Sequence, residues 1–326
     1  MGEDSSDVKD GLRENAIRFR WPDGFRCPKC DSRTGWLDAR GWWKCTKCRH
    51  LTSITSGTVL HGTHLPLDTW IQAIDVVARE PRKINVVKGV SAWKLKSELG
   101  LGSYQTAWRM LRRIRRLMAT AVEEDVLKRH VEIGLIGLRG PSTNRLHLTQ
   151  LNGWVALAVE DRPGYWLGHI RMRWAARKSL LLSRFVSGVV QDGTQLSSDG
   201  SIPESALNIK GYSRHESPWA NDERMRLKRY PVLAHRSRDA VYIGDPPSKP
   251  DWPNCPTQRA CRIFTSWRQR RHRGGAPLTV DLVGELAEFC FYFNRQRWDR
   301  DKLFADLAQT MLAPTPANSP RFGRAK

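Results

Sequence analysis

Two close pairs of cysteines near the N-terminus constrain the fold of this chain more than any other feature. Cys27 and Cys30 form the motif CPKC, Cys45 and Cys48 form CTKC, and fourteen residues separate the two motifs. Two CxxC turns at this spacing can surround one Zn²⁺ with four thiolates in a tetrahedron. A dithiol redox pair and two disulfides are the alternatives that the pattern leaves open.

The residues between the two motifs predict a zinc ribbon over residues 21–56. The stretch GWLDARGWWKC is aromatic and alternating around Ala39–Gly41, which is typical of a β-hairpin that carries the second motif. A segment this small cannot bury enough apolar surface alone, so the metal would supply its folding free energy. Four cysteines leave no open coordination position, so the predicted Zn²⁺ is structural and not catalytic.

The charge of the chain favours a polyanionic partner. Its 326 residues include 54 Lys or Arg and 33 Asp or Glu, which gives a formal net charge of +21. Nucleic acid is the favoured polyanion, because each neutralised phosphate releases condensed counterions. A membrane surface is the competing partner, but the sequence has no run of about 18 apolar residues, and it begins with the acidic stretch MGEDSSDVKD.

The other cysteines and the chain ends carry weaker information. Seven cysteines without a recognisable signal peptide predict reduced thiols inside a cell. Cys255, Cys261 and His235 match no standard metal-ligand spacing, so ordinary thiols are expected there. We expect a flexible lead-in at residues 1–20 and a flexible tail at residues 313–326.

Helical patterns follow the predicted ribbon, and they predict a helix-turn-helix domain over residues 64–120. Pro66 opens a first helix, and the stretches GVSAWKLKSELG and LGSYQTAWRMLRRIRRLM form two more, separated by Gly100–Gly102. A glycine turn before an arginine-bearing second helix is typical of a motif that lies in the DNA major groove. The alternative is a solvated basic face on a three-helix bundle.

The last of these helices has two faces of different chemistry. Its apolar residues recur at helical spacing and predict a buried stripe of Ala107, Met110, Leu111, Ile114 and Leu117. The opposite face supplies candidates for base edges near the start of the helix and for phosphates later. The base candidates are Tyr104, Gln105 and Arg109, and the phosphate candidates are Arg112, Arg113 and Arg116.

From Arg129 onward the hydrophobic period changes from that of helices to that of strands. VEIGLIGL, LNGWVALAVE and YWLGHIRMRW predict three consecutive strands, a helix follows within residues 175–190, and TQLSSDG predicts a fourth strand that ends at Asp199. This order matches the start of a ribonuclease H-like fold. A closing helix over residues 279–295 is expected to pack Val283, Leu286, Cys290 and Phe293 inward.

Residues 21–312 resemble the zinc-ribbon DDE transposases of bacterial insertion sequences, in the ISXO-like, Merlin-related group. The matching stretches are FRCPKC, WWKCTKC, TSGTVLHGTHLPLDTW, KLKSELGLGSYQTAWRMLRRIR, VEI, QLSSDG, GYSRH and EFCFYFNRQ. The resemblance implies an α+β multidomain fold: a zinc ribbon, a helix-turn-helix and a ribonuclease H-like core with a mixed sheet and flanking helices over residues 129–312. It also implies double-stranded DNA as partner, a homo-oligomer such as a dimer, and a bacterial cytoplasmic, nucleoid-associated protein.

The resemblance implies carboxylates that hold two divalent metals, and these acids are incomplete here. The first acid of the family aligns with Gly134, the second is present as Asp199, and the third falls near Ile263. Glu132 lies on the same face of its strand as Gly134 but is set back by roughly 6.6 Å. We therefore expect that Glu132 cannot replace the missing acid.

The third block of the family is the least certain to align. A proline-rich insertion near residues 216–257, which contains the remote candidates Asp245 and Asp251, precedes the helix that carries Ile263. Phosphate contacts need charge and little geometry, so an arginine run on that helix is expected to line the DNA path. The run is Arg268, Arg270, Arg271 and Arg273.

The sequence thus predicts a transposase-derived, catalytically inactive protein that binds specific duplex DNA in a regulatory, targeting or scaffold role. The first alternative is an active transposase that uses displaced carboxylates with Mg²⁺ or Mn²⁺. A second alternative is an RNA-binding module, although the major-groove geometry of the last helix favours duplex DNA.

Overall fold

The computed structural model of the chain describes residues 16–81, 88–138, 153–162, 166–175, 182–199, 202, 204–215, 255–271 and 281–314. Several predictions lie outside these ranges. They concern Arg273, His235, most of the insertion with Asp245 and Asp251, residues 1–15 and residues 315–326. Among the described helices, none has both the length and the hydrophobicity needed to cross a membrane.

The chain divides into two compact units. The first contains residues 1–79, 90–117 and 298–326, and the second contains residues 80–89 and 118–297. The first unit therefore includes a C-terminal helix that the sequence analysis placed with the core.

The first unit begins with a small antiparallel sheet in the order β1-β2-β3. Its strands are β1 (Gly35–Leu37), β2 (Trp43–Cys45) and β3 (Leu51–Thr52). The predicted hairpin is confirmed, because Trp36 pairs with Lys44 across β1 and β2. The turn between these strands contains Gly41, whose φ of 80° is a conformation that favours glycine.

The first unit further contains α1 (Leu67–Ala78), α2 (Ala92–Glu98), residues 104–117 of α3 (Tyr104–Glu123), and α7 (Arg300–Leu312). The predicted start of α1 at Pro66 is confirmed. Helix α2 begins at Ser91, whose hydroxyl accepts a hydrogen bond from the Lys94 N–H at 3.1 Å. Helix α7 packs against α1, and Arg300 pairs with Asp75 at 2.6 Å.

The buried stripe predicted on α3 is confirmed. Its members are all nearly inaccessible to solvent, since an apolar face at helical spacing turns toward one core. The residues are Ala107, Met110, Leu111, Ile114 and Leu117.

The second unit is built on a five-stranded mixed sheet in the order β6-β5-β4-β7-β8. Strands β4, β5 and β6 are antiparallel neighbours, as predicted, whereas β7 runs parallel to β4 and β8 runs parallel to β7. The strands are β4 (His130–Leu138), β5 (Gly153–Arg162), β6 (Trp166–Ala175), β7 (Gln195–Ser198) and β8 (Ser213–Arg214).

Helices cover the sheet, and the two faces of β4 meet different ones. Val131 and Ile133 pack with Phe185 of α4 (Leu182–Val189) in an apolar core. Glu132, on the opposite face, contacts the start of α5 (Pro256–Arg271). This alternation along one strand places polar groups under α5.

Helix α6 (Leu282–Asn294) packs against β6. Leu286, Cys290 and Phe293 are buried, as predicted, but Val283 is 63% exposed. The prediction for Val283 is wrong, because the first turn of α6 buries Leu282 instead.

Candidate functional site

The two cysteine motifs adopt the same backbone geometry. The Cys27 N–H donates to the Ser32 carbonyl and the Cys45 N–H donates to the His50 carbonyl, at 2.9 and 3.0 Å. The carbonyls of the same two cysteines accept hydrogen bonds from Asp31 and Arg49, and both of these residues have positive φ, 61° and 59°. Each motif is therefore a tight turn that directs its two sulfurs to one point.

The four sulfurs converge as a tetrahedral zinc site requires. All four Sγ atoms lie within 4.8 Å of one another, and the Cys27–Cys48 and Cys30–Cys45 separations are both 3.6 Å. A Zn–S bond of about 2.3 Å in a tetrahedron places sulfurs roughly 3.8 Å apart, so the set fits Zn²⁺. Backbone hydrogen bonding, chiefly from the Cys48 N–H, lowers the pKa of Cys45 to about 6 and favours the thiolate that binds metal.

The predicted base-contacting end of α3 is accessible. Tyr104 and Gln105 are exposed at its first two positions, and Arg109 is exposed one turn later. The sequence analysis missed Trp93 on α2, which is 65% exposed and whose ring centroid lies 5.2 Å from that of Tyr104. Its place outside the buried pair Ala92 and Leu95 of α2 was the signal that could have identified it.

The later arginines of α3 differ in their surroundings. Arg112 and Arg116 are exposed, as expected for phosphate contacts. Arg113 is half-buried, and its guanidinium carbon lies 5.8 Å from the ring centroid of Trp70 on α1. Burial lowers the pKa of Arg113, and its stacking on Trp70 makes it a packing residue as well as a cation.

The space beside Gly134 is filled by Asp199. A Cβ atom built on Gly134 would lie 2.2 Å from Asp199 Oδ2 and 3.3 Å from the Cβ of Thr257. No side chain fits at position 134 while Asp199 keeps this conformation. Asp199 itself is only 2% exposed.

Thr257, the second residue of α5, joins two buried carboxylates. Its N–H donates to Glu132 Oε1 at 2.8 Å, and its hydroxyl lies 2.8 Å from Glu132 Oε1 and 3.0 Å from Asp199 Oδ2. The hydroxyl has a single proton, so it donates a hydrogen bond to only one of the two carboxylates. The second hydrogen bond requires that the other carboxyl group is protonated and donates to the hydroxyl oxygen. Glu132, Thr257 and Asp199, called the acidic cluster below, are each at most 3% exposed.

Glu132 and Ile263 stand differently toward Asp199. Glu132 does reach the surroundings of Asp199, because the hydroxyl of Thr257 bridges their oxygens. The residue of α5 that contacts Asp199 is Thr257 and not Ile263, which is partly exposed further along the helix. Helix α5 approaches β4 and β7 with its N-terminal end, so its first turn provides the contact.

The acidic cluster is poised to hold a proton. Burial, assisted by the negative charge of Asp199, raises the pKa of Glu132 to about 7. Two adjacent buried carboxylates resist double ionisation, so near neutral pH Glu132 is partly protonated and can donate within the cluster.

The predicted arginine run on α5 lies in a different environment from the one expected. Arg268 is buried and pairs with Glu285 of α6 at 3.0 Å, and Arg271 pairs with the fully buried Glu288 of α6 at 2.7 Å. Arg270 is half-buried, and burial lowers the pKa of its guanidinium. The acids of α6 engage Arg268 and Arg271 within the unit, so these two cations join helices.

Comparison with known proteins identifies the N-terminal segment. Residues 13–51 match the family model of the transposase zinc-ribbon domain, IS1595 type. The match includes all four converging cysteines, so the chain carries a transposase-type zinc ribbon that binds structural Zn²⁺. No curated protein and no solved structure matches the chain.

Proposed function

We propose that this chain is a transposase-derived protein that binds double-stranded DNA and no longer cuts it. The transposase zinc ribbon supports the origin. The observation that carries the loss of cleavage is the acidic cluster, in which Asp199 fills the space above Gly134 and α5 covers the site.

The sheet of the second unit supports descent from a ribonuclease H-like core of the ISXO-like, Merlin-related group. Three antiparallel strands are followed by a helix and by two strands that add in parallel next to β4. Asp199 immediately follows β7, beside β4, where the family resemblance places the second acid.

The buried cluster is unsuited to two-metal chemistry. Two cations about 3.5 to 4 Å apart need several anionic oxygens and room for attacking and leaving groups. The cluster offers two carboxylates, one of them partly protonated near neutral pH, and both are at most 3% exposed. The alternative is an active transposase that uses Glu132 as a displaced ligand. It is favoured by the contact between Glu132 and Thr257, because the Thr257 hydroxyl brings Glu132 close to Asp199. Such an enzyme would have to move α5 before it could admit Mg²⁺ or Mn²⁺.

DNA recognition is assigned to α2 and α3, used as a helix-turn-helix. The turn between them contains Gly100 with a φ of 61°, and α3 presents Tyr104 and Gln105 at its exposed start. Arg109, Arg112 and Arg116 extend this cationic face along the helix. We further propose that the protein acts as a dimer on the bacterial nucleoid, in a regulatory, targeting or scaffold role.

Selection from a random duplex library, followed by fluorescence anisotropy on the selected site, tests this assignment. Each of Arg109→Gln, Arg112→Gln and Arg116→Gln should lower the slope of log affinity against log salt by about 0.9 if the arginine neutralises one phosphate. Gln105→Ala should relax base preference at one position by about 1 to 3 kcal/mol.

Arg184→Gln is the matched control, because Arg184 is an exposed arginine on α4 of the second unit. It should leave the affinity and the salt slope unchanged. Failure to select any duplex, or an unchanged salt slope in the Arg109, Arg112 and Arg116 variants together, would contradict the assignment.

A further inference from the structure

The two faces of the zinc-ribbon sheet differ in burial and in charge. On the inner face, Trp43 stacks on Phe25 at a centroid distance of 4.8 Å and meets Trp21 edge-on at 5.4 Å. These rings pack with Cys27 and Cys45 into a small buried cluster. The inner face therefore forms the apolar core of the ribbon.

The outer face combines aromatic and cationic side chains across all three strands. Trp36 pairs in register with Lys44, and Lys44 pairs with Leu51, so these three side chains share one side of the sheet. Trp42 lies two residues before Lys44, immediately before β2, and we assign it to the same side from the alternation of side chains along a strand. Trp36, Trp42 and Leu51 are 40%, 42% and 40% exposed, and together with Lys44 they are called the outer face below.

Two cations flank Trp36 without a neutralising acid. The Lys44 ammonium and the Arg49 guanidinium each lie 5.7 Å from the ring centroid of Trp36. Within the described ranges neither forms an ion pair with a carboxylate. By contrast, Arg26 and Arg40 of the same ribbon pair with Asp31 and Asp38. Lys44 and Arg49 thus keep their charge available for an external anion.

We propose that the outer face of the zinc ribbon binds an unpaired DNA strand, with bases stacked on Trp36 and Trp42 and phosphates held by Lys44 and Arg49. Aromatic rings interleaved with cations are the chemistry that holds single strands, because every base has a π face and every nucleotide a phosphate. Duplex DNA exposes base faces only at its ends, so stacking requires frayed or single-stranded DNA. A protein partner would need acids opposite Lys44 and Arg49, whereas DNA supplies the anions along its whole length.

This site is separate from α2 and α3 and shares with the proposed function only the assumption that the ligand is DNA. The test compares a blunt hairpin duplex with the same duplex carrying a short oligothymidine overhang, by fluorescence anisotropy of the full chain. Wild type should bind the overhang duplex at least about tenfold more tightly, which is within the range for stacking a single base. Trp36→Ala and Trp42→Ala should each remove most of that preference and leave blunt-duplex binding unchanged.

Leu37→Ala is the matched control. Leu37 is 41% exposed on the same hairpin, but it pairs with Trp43 and so lies on the other side of the sheet. This variant should keep the overhang preference, and all variants should retain zinc by metal analysis. Lys44→Gln and Arg49→Gln should each lower the salt slope for the overhang by about 0.7, the value for a single-strand phosphate contact.

Several results would overturn the proposal. They are equal binding of the two duplexes by wild type, an equal loss in Trp36→Ala and Leu37→Ala, or tighter binding of an RNA overhang of the same length. A Trp36→Ala variant that only converts a dimer to a monomer in light scattering would assign the outer face to a second copy of the chain. If wild type binds the blunt duplex but shows no preference for the overhang, only this inference is refuted. If wild type binds neither duplex, the proposed function is refuted.

Discussion

The zinc ribbon and the acidic cluster are both sites where side chains that can bind metal converge, but they are built in opposite ways. In the ribbon, two identical backbone turns direct four sulfurs to one point, and nothing but a metal can hold four thiolates together there. In the cluster, the hydroxyl of Thr257 contacts one oxygen of each carboxylate, Glu132 Oε1 and Asp199 Oδ2. The ribbon directs four ligands to one point, whereas the cluster joins two carboxylates through a protein hydroxyl.

The arginines of α3 and those of α5 also differ in their surroundings. On α3 of the first unit, Arg109, Arg112 and Arg116 are exposed to solvent. On α5 of the second unit, Arg268 and Arg271 are held by Glu285 and Glu288. The named arginines of α3 lie at the surface, whereas Arg268 and Arg271 join helices of their own unit.

Removal of the zinc ligands should have the largest effect. The double variant Cys27→Ser/Cys45→Ser takes one thiolate from each turn, and structural zinc in small domains supplies on the order of 10 kcal/mol of folding free energy. Metal analysis should show loss of zinc, and hydrogen exchange should show loss of protection in β1, β2 and β3. Cys290→Ala, which removes a buried thiol outside the ribbon, should keep the zinc. Full zinc content in the double variant would disprove the four-cysteine site.

An acid restored at position 134 should be strongly destabilising. In Gly134→Asp the new side chain collides with Asp199 and adds a buried charge, at a combined cost of about 5 kcal/mol in urea unfolding. Gly188→Asp is the matched control, since a Cβ there meets nothing within 4 Å, and its change should be about 0.5 kcal/mol or less. The swap Gly134→Asp/Asp199→Gly should recover most of the loss. A stable Gly134→Asp variant would show that Asp199 is free to leave the space above Gly134.

Loss of Arg271 should expose the structural role of the α5 arginines. Arg271→Met removes the ion pair between Arg271 and the fully buried Glu288, which should lower the free energy of unfolding by about 4 kcal/mol. Arg184→Met, at an exposed position, should change it by about 0.5 kcal/mol at most. A variant of Arg271 that folds normally but loses DNA affinity would instead show that Arg271 contacts DNA.

Glu132→Gln should alter the pH dependence of stability. The folded-state pKa of Glu132, about 7, lies above its ordinary 4.5, so the folded state binds the proton more tightly. Its contribution to stability is therefore fully present below about pH 4.5 and is lost as the pH rises through about 7. Relative to wild type, the variant should gain up to about 3 kcal/mol between pH 5 and pH 8, measured by hydrogen exchange in β4 and β7. Asp192→Asn, at an exposed acid, is the control, and a parallel pH profile for wild type and Glu132→Gln would refute the protonated cluster.

Local pattern was sufficient to predict much of the fold. The four zinc ligands follow from the spacing of two turns, and the three antiparallel strands follow from the change of hydrophobic period at Arg129. The buried stripe of α3 follows from its helical spacing. Each of these features depends on residues close in sequence.

The parts that the sequence did not predict depend on contacts between distant residues. Thr257 lies 125 residues from Glu132 and 58 from Asp199, and only the docking of α5 brings the three together. Because the predicted insertion overlapped the start of α5, the sequence did not show that α5 begins there. The third family position was therefore placed near Ile263. The partners of Arg268 and Arg271 are likewise set by the packing of α6 against α5. The outer face of the ribbon also required the tertiary structure.

DNA cleavage by the purified full chain tests the central claim most directly. The substrate is labelled duplex that carries the selected binding site, incubated with Mg²⁺ or Mn²⁺ under conditions where binding is saturated. We expect binding that weakens steeply with salt, does not depend on the divalent metal, and produces no nick, with wild type and Asp199→Ala behaving alike. Metal-dependent nicking by wild type that Asp199→Ala abolishes would contradict this expectation and establish an active transposase with displaced carboxylates.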